Sequence, residues 1–207
     1  IWGLSQGNKD KCFYALVYNK KQQINQIDTF FTKEISKGDC MLGERCTFNI
    51  YGNAAVDNIL KKIEKSTVSL NSVAEFSLGI TPYDKYKGHS KEIIDSRAFH
   101  SSSQLDSTYK PLITGENITR YYVSPKPQEY IKYGEWLGAP RDERFFTYPR
   151  VIVRQIVSGS PLRIFAGYTE APLYFTQIGF GIIPNAEIEV KYLTSLLNSR
   201  LINFYHG

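Results

Sequence analysis

Cysteine is scarce. Cys12, Cys40 and Cys46 are the only three in 207 residues, and no C-x-x-C occurs among them. The three histidines, His89, His100 and His206, are also far apart. A zinc site needs more ligands at tighter spacing, and an odd, sparse set of thiols is not a disulfide framework. Reduced thiols, and with them a cytoplasmic location, are therefore expected. No histidine sits in a motif that would pair it with a serine, cysteine or aspartate for nucleophilic catalysis. No apolar run approaches the roughly 18 residues of a membrane span, and no signal peptide heads the chain, so a membrane partner is not expected.

What is abundant is tyrosine, at 15, with 12 phenylalanines. Apolar residues make up 42% and charged residues 22%, the balance of an ordinary globular protein. The net charge of +5 is mild. Its distribution says more: residues 110–165 hold nine Lys/Arg against five Asp/Glu, and six of the nine are arginine. Tyr121, Tyr122, Tyr130, Tyr133 and Tyr148 lie between them. Arginine's planar fork fits phosphate and guanine, and an aromatic ring offers a stacking face. A well-paired, solvated surface has the same composition.

Hydrophobic patterning gives the elements. YPRVIVRQ, residues 148–155, places Val151, Ile152 and Val153 on both faces of a strand, as in a central strand covered on both sides. Its terminal cations, Arg150 and Arg154, are expected to emerge at a sheet rim. Residues 12–18 and 24–31 read as strands and 41–51 as a short extended piece. Asn53 is placed to cap a helix with Val56, Ile59, Leu60 and Ile63 on one face. Ala74, Phe76, Leu78 and Ile80 alternate as the inner face of a half-buried strand. Residues 83–108 read as a long loop with one short helix near 91–96. Residues 128–133 read as a strand, 136–148 as helix or loop, 158–161 as a turn, and 172–184 as a strand pair. Val190, Leu193, Leu196, Leu197, Leu201 and Phe204 mark one continuous amphipathic helix.

Five pieces recur in order: KKIE at 61–64; VAE and GI at 73–80; KPLITGENITRY at 110–121; a segment from Trp136 to VIVRQ at 151–155; and YLTSLLNSRLINFY at 192–205. Together they resemble the C-terminal specificity domain of TaqI-type N6-adenine DNA methyltransferases and of type IIG restriction–modification enzymes. The resemblance covers residues 53–207. It implies an α+β target-recognition domain, with a mostly β core and flanking helices that include a C-terminal amphipathic one. Residues 1–52 would connect it to an upstream methyltransferase domain, and the recognition domain would be truncated at its C-terminus. Double-stranded DNA and that methyltransferase domain are the implied partners. S-adenosylmethionine, and Mg²⁺ if the parent also cleaves DNA, would belong to the parent enzyme. The recognition domain would read base pairs from the major groove while arginines fix the backbone register. The candidate DNA contacts are Tyr83, Lys85, Arg120, Tyr121, Lys132, Arg141, Arg144, Arg154, Gln155 and Arg163. Arg154 and Gln155 could instead brace loops.

The chemistry of methyl transfer itself is missing. An amino-methyltransferase needs a short Asn/Asp-Pro-Pro-aromatic loop to hold the flipped base, and no Pro-Pro occurs here. A Gly-rich cofactor loop is absent too. Glu189-Val190-Lys191 has a nuclease-like spacing, but it opens a helix, where a glutamate interacts with the dipole. The chain alone is expected to be non-catalytic and to bind no cofactor. Two alternatives stay open: half of a type I restriction specificity subunit, and a protein–protein module docking through its final helix.

Overall fold

The computed structural model describes residues 12–17, 31–36, 54–156 and 164–206. The expected pieces at 41–51 and 158–161, the cap residue Asn53, most of the expected strand at 24–31, and Arg163 lie outside these. The chain divides into two compact units, residues 1–67 and 68–207.

In the first unit, β1 (Cys12–Val17) pairs antiparallel with β2 (Phe31–Ser36), Cys12 opposite Ser36. Helix α1 (Ala54–Lys65) follows where the apolar stripe places it. Lys62 and Lys65 complement the dipole in its last turn. The Ser66 and Thr67 hydroxyls donate to the carbonyls of Lys62 and Ile63 and close its end.

The second unit is built around β8 (Arg150–Arg154), the middle strand of a five-stranded sheet. Its partners are β11 (Gly179–Pro184) and β9 (Ala166–Thr169), both antiparallel to it; β3 (Ala74–Leu78) and β6 (Tyr121–Tyr122) form the edges. Val151 and Val153 face one side and pack with Ala166, Ile182 and Leu193. Ile152 faces the other side, with Phe146 of the short helix α3 (Arg144–Thr147), Phe175, Ile118 and Val123. That second cluster also holds Leu112, Ile113, Ile131 and Tyr174 from a four-stranded sheet. The smaller sheet orders β10 (Tyr174–Phe175), β5 (Tyr109–Ile113), β7 (Glu129–Lys132) and β4 (His100–Ser101). Three layers result: small sheet, large sheet, and the helix α4 (Val190–Leu197). The expected α+β class and the central position of 150–154 both hold.

Four expectations need correction. Arg150 does not emerge at a rim: it shares the inner face with Ile152 and is completely buried. Three carbonyls accept from its two terminal nitrogens, while its buried Nε has no hydrogen-bond partner among the described residues. Phe76 and Leu78 are 43% and 46% exposed, because the apolar cluster on their face is centred on β8, β9, β11 and α4 and takes in only Ala74 of the edge strand β3. Residues 83–108 are more ordered than a loop. They contain α2 (Lys91–Asp95), where a short helix was expected, and also a 3₁₀ turn, Lys85–Lys87, and strand β4. The final helix is not continuous: it breaks after Leu197 into α4 and α5 (Arg200–His206).

The break has a cause. Asn198 is 1% exposed, and its Nδ2 donates to Ala166 O (2.7 Å) and Thr194 O (2.8 Å). Its Oδ1 accepts from Ala166 N at 3.3 Å. Asn203 repeats the device: Oδ1 accepts from Ile164 N, and Nδ2 donates to Ser199 O, each at 2.8 Å. The two asparagines clip the helix pair to the start of β9, and the bend at 198–199 turns Leu201 and Phe204 outward, 48% and 44% exposed. Of the expected apolar face, Leu193 alone is fully buried, while Leu196 and Leu197 are half-buried.

Urea denaturation will separate these roles. Leu193→Ala is expected to cost ~2–5 kcal/mol, the range of a buried leucine. Asn198→Ala is expected to cost ~1–3 kcal/mol, because it removes the side-chain partner of the buried Ala166 N–H and carbonyl. Leu201→Ala is expected to change stability by about 0.5 kcal/mol or less.

Candidate nucleic-acid interface

The described candidates fall into three neighbourhoods. One is the rim where β8 ends and β11 begins. Arg154 pairs with Gly179, and Gln155 N donates to Ile178 O at 2.8 Å. Gly79 N donates to Gly179 O (3.3 Å), and Gly79 O in turn accepts from Arg141 Nε at 3.4 Å. Only glycine fits at position 79, since a Cβ there would lie 1.8 Å from Thr176 O. The rim thus brings Arg141, Arg154 and Gln155 together. It adds Gln177, which the sequence reading did not single out and whose Nε2 donates to Thr81 Oγ1 at 3.0 Å.

Arg154 is the distinctive cation of this rim. Its guanidinium lies 5.8 Å above the Phe165 ring, and a Cβ on Gly115 would come 3.4 Å from its Nε. It is held by packing on two sides, and among the described residues no carboxylate pairs with it. Gln155 beside it is exposed. Arg144 is the opposite case. Its guanidinium reaches both Glu75 oxygens, at 3.4 and 3.1 Å, and lies 2.9 Å from Asp142. Its backbone N–H and guanidinium hold the Asp142 carboxyl below the usual range. Arg141 and Arg144 therefore run alongside the edge strand β3, tied to Gly79 at one end and Glu75 at the other.

The second neighbourhood is the far edge of the large sheet. Arg120 donates to the carbonyl of Asn198, the residue capping α4, where a cation complements the helix dipole. It also lies 5.4 Å over the Tyr121 ring. Tyr121 is 51% exposed. Its φ of 73° is left-handed, as is that of Arg141 at 67°. Such a backbone costs non-glycine residues about 1–2 kcal/mol, so both positions hold strain that the surrounding contacts must offset.

The third neighbourhood is the rim of the small sheet, with Tyr83, Lys85 and Lys132. Tyr83 is a packing residue: its ring stacks on Phe99 (5.2 Å) and His100 (5.6 Å). Its hydroxyl accepts from Phe99 N at 3.0 Å and shares a hydrogen bond with His100 Nδ1, 2.8 Å away. Lys85 and Lys132 instead lie over exposed rings, Tyr86 at 4.8 Å and Trp136 at 5.2 Å.

Sequence reasoning missed the polar residues that hold these loops. Arg150 donates to Tyr148 O (2.7 Å), Leu173 O (2.9 Å) and Ala171 O (3.0 Å). Burial pushes its guanidinium down to about 10, which leaves it charged at neutral pH. Asn117 accepts from Thr114 N (3.0 Å) and donates to Lys126 O (2.8 Å), closing the turn that carries Gly115 to Arg154. An asparagine or arginine inside an otherwise apolar pattern was the available signal. Among the described residues no group of His, Cys, Asp or Glu is placed to hold a metal ion, and no helix is long and apolar enough to cross a membrane.

His100 gives a pH prediction. Burial, and then nearby Arg97, push its imidazole below the ordinary 6.5. A base depressed on folding is stabilising when neutral. The contribution is complete above about pH 6.5 and is lost as the pH falls through the folded value. Melting temperatures measured from pH 7.5 down to 5 should fall, and His100→Asn should remove the histidine's share of that fall.

Comparison with known proteins bears on the second half of the chain. No curated protein matches it. Residues 110–207, from β5 through α5, match the model of the TaqI-like C-terminal specificity domain; Tyr83 and Lys85 precede that span, and Arg120, Arg141, Arg154 and Gln155 lie within it.

Proposed function

We propose that this chain is the DNA target-recognition module of a restriction–modification enzyme, placing duplex DNA for adenine N6 methylation by a domain outside it. The observation that carries the reading is the match of residues 110–207 to the TaqI-like C-terminal specificity domain. The rim supports it chemically. Arg154 is rigidly seated and has no carboxylate partner among the described residues, so its charge is available to a phosphate or a guanine edge. Gln155 and Gln177 beside it carry the paired donor and acceptor that fit adenine. Arg144 already has two carboxylates, so phosphate contact there costs the breaking of an ion pair. Methyl transfer and S-adenosylmethionine are assigned to the parent enzyme's catalytic domain, and any Mg²⁺-dependent cleavage to parts of the parent outside this chain.

The protein–protein alternative has one observation in its favour, the outward-facing Leu201 and Phe204 of α5. Salt separates the two readings, because phosphate neutralisation makes affinity fall steeply with ionic strength.

Fluorescence anisotropy with a labelled duplex will test the proposal. The chain alone is expected to bind at roughly micromolar affinity or weaker, close to the non-specific level. Arg154→Ala should flatten the slope of log K against log salt by about one unit, the signature of one lost phosphate contact. Arg144→Ala should change it much less. Binding with no salt dependence would reject the proposal. Equal losses from the two variants would reject the assignment to the rim.

A further inference from the structure

The two edges of the five-stranded sheet are unlike. At β6 the chain folds back on itself: Ile118 bridges Val123, and Thr119 N donates to Tyr122 O at 3.0 Å, so a turn closes that edge. Among the described residues no strand pairs with the outer side of β3. Its register with β11 decides which backbone groups are engaged. Asn185 N donates to Val73 O (2.9 Å) and Gly79 N to Gly179 O (3.3 Å). The hydrogen-bonded pairs therefore fall on the odd-numbered residues, Glu75 with Ile183 and Ser77 with Gly181. The N–H and C=O groups of Phe76 and Leu78 point away from the sheet, and both residues are exposed. An open edge with apolar side chains is a template for another strand, and a charge on the edge is the usual guard against it. The one charge on β3, Glu75, lies on the opposite face from Phe76 and Leu78, where Arg144 neutralises it.

The strand is complementary to itself. Consider two copies paired antiparallel about a twofold axis through Ser77. Phe76 then faces Leu78 of the second copy, and Leu78 faces its Phe76. Both are outward-pointing positions, so each pair exchanges two hydrogen bonds and leaves no backbone group of either residue over. The side-chain pairs are aromatic with aliphatic, a favourable cross-strand combination. Phe180, half-buried opposite Leu78 on β11, extends the apolar surface. On the other face Ser77 meets its own counterpart, and Gly79 stands opposite Glu75 of the second copy. Arg141 is at that point. Its Nε donates to Gly79 O at 3.4 Å, and among the described residues no carboxylate pairs with it. Glu75 of the second copy supplies one. An axis through Phe76 also preserves the bonding pattern, but it sets Glu75 against Ser77, leaves Arg141 unmatched and uses Ala74, which is already buried.

We propose that β3 is a self-association edge: two copies of this chain pair their β3 strands antiparallel about Ser77, joining two five-stranded sheets into one. The inference stands apart from the DNA-recognition reading. A single strand-to-strand contact buries little area, at the small and transient end of protein interfaces, so the dimer is weak and fills only in concentrated protein.

Sedimentation equilibrium of the full chain should show a weight-average mass that rises with concentration from 23.7 kDa toward twice that value. Phe76→Pro removes an outward N–H in each copy and leaves the β11 ladder intact; association should weaken about tenfold. Phe76→Lys keeps the N–H and should weaken association through charge on the edge. Thermal melts identify which of the two variants is folded. Ser77→Cys should form a disulfide-linked dimer on mild oxidation, because residues facing each other in a non-hydrogen-bonded pair have Cα atoms about 4.5 Å apart, within disulfide reach. Glu75→Cys should cross-link no more than wild type, in which Cys12, Cys40 and Cys46 set the background, since its counterpart lies four residues along the strand, ~13 Å away. A mass that stays at 23.7 kDa at every concentration overturns the proposal, as does association that a folded Phe76 variant leaves unchanged. Ser77→Cys cross-linking no better than wild type, or Glu75→Cys cross-linking equally well, overturns the twofold register.

Discussion

The second unit depends on satisfying polar groups trapped between its layers. A strand covered on both faces buries Val151, Ile152 and Val153 almost completely, and that burial drives the three-layer arrangement. The same geometry takes Arg150 out of water, along with the backbone of the loops that return to the sheet. An isolated buried charge would cost several kcal/mol. It is tolerated because the planar fork meets the carbonyls of Tyr148, Ala171 and Leu173, tying the entry to β8 to the loop before β10. Arg150, Asn117 and Asn198 are one solution used three times: a side chain with several hydrogen-bonding positions serves backbone that has no sheet or helix partner.

This explains what was legible in the sequence. Periodicity reports burial, so α1, β3, β7, β8 and α4 could be read from spacing alone. Partners across the fold leave no local trace. Nothing near Arg150 announces three carbonyls from two loops, so a strand-end arginine read as a rim cation. The final helix read as continuous because Asn198 falls on the polar side of a stripe that continues to Leu201. Its bend arises from a contact with Ala166, 32 residues earlier. Phe76 and Leu78 alternate correctly, yet alternation cannot say that their strand lies at a sheet edge.

The candidate site was legible in residue type and poorly legible in role. Arginine and tyrosine density picked out residues 110–165, but the structure sorts those residues by what already engages them. Arg120 serves a helix end, Arg144 serves Glu75 and Asp142, and Arg150 serves the core. Arg154 keeps its guanidinium clear of any described carboxylate. The distinction is thermodynamic. A paired guanidinium must give up one partner to gain a phosphate, so its net contribution is the difference between two similar interactions. An unpaired guanidinium fixed by packing loses only hydration and little rotamer freedom, so more of the new interaction remains as affinity.

The same reasoning bears on how a small module could meet a duplex without a large net charge. Contacts that position a duplex need no high charge density; they need fixed charges spaced along the backbone. An arginine free in solvent has about 2 kcal/mol of rotamer entropy to lose on being ordered. Packing the Arg154 guanidinium against Phe165 and Gly115 takes part of that loss during folding, so less remains to be lost on binding. Asn117 closes the turn that brings Gly115 to it, so the position of the cation is fixed by a polar side chain acting on backbone.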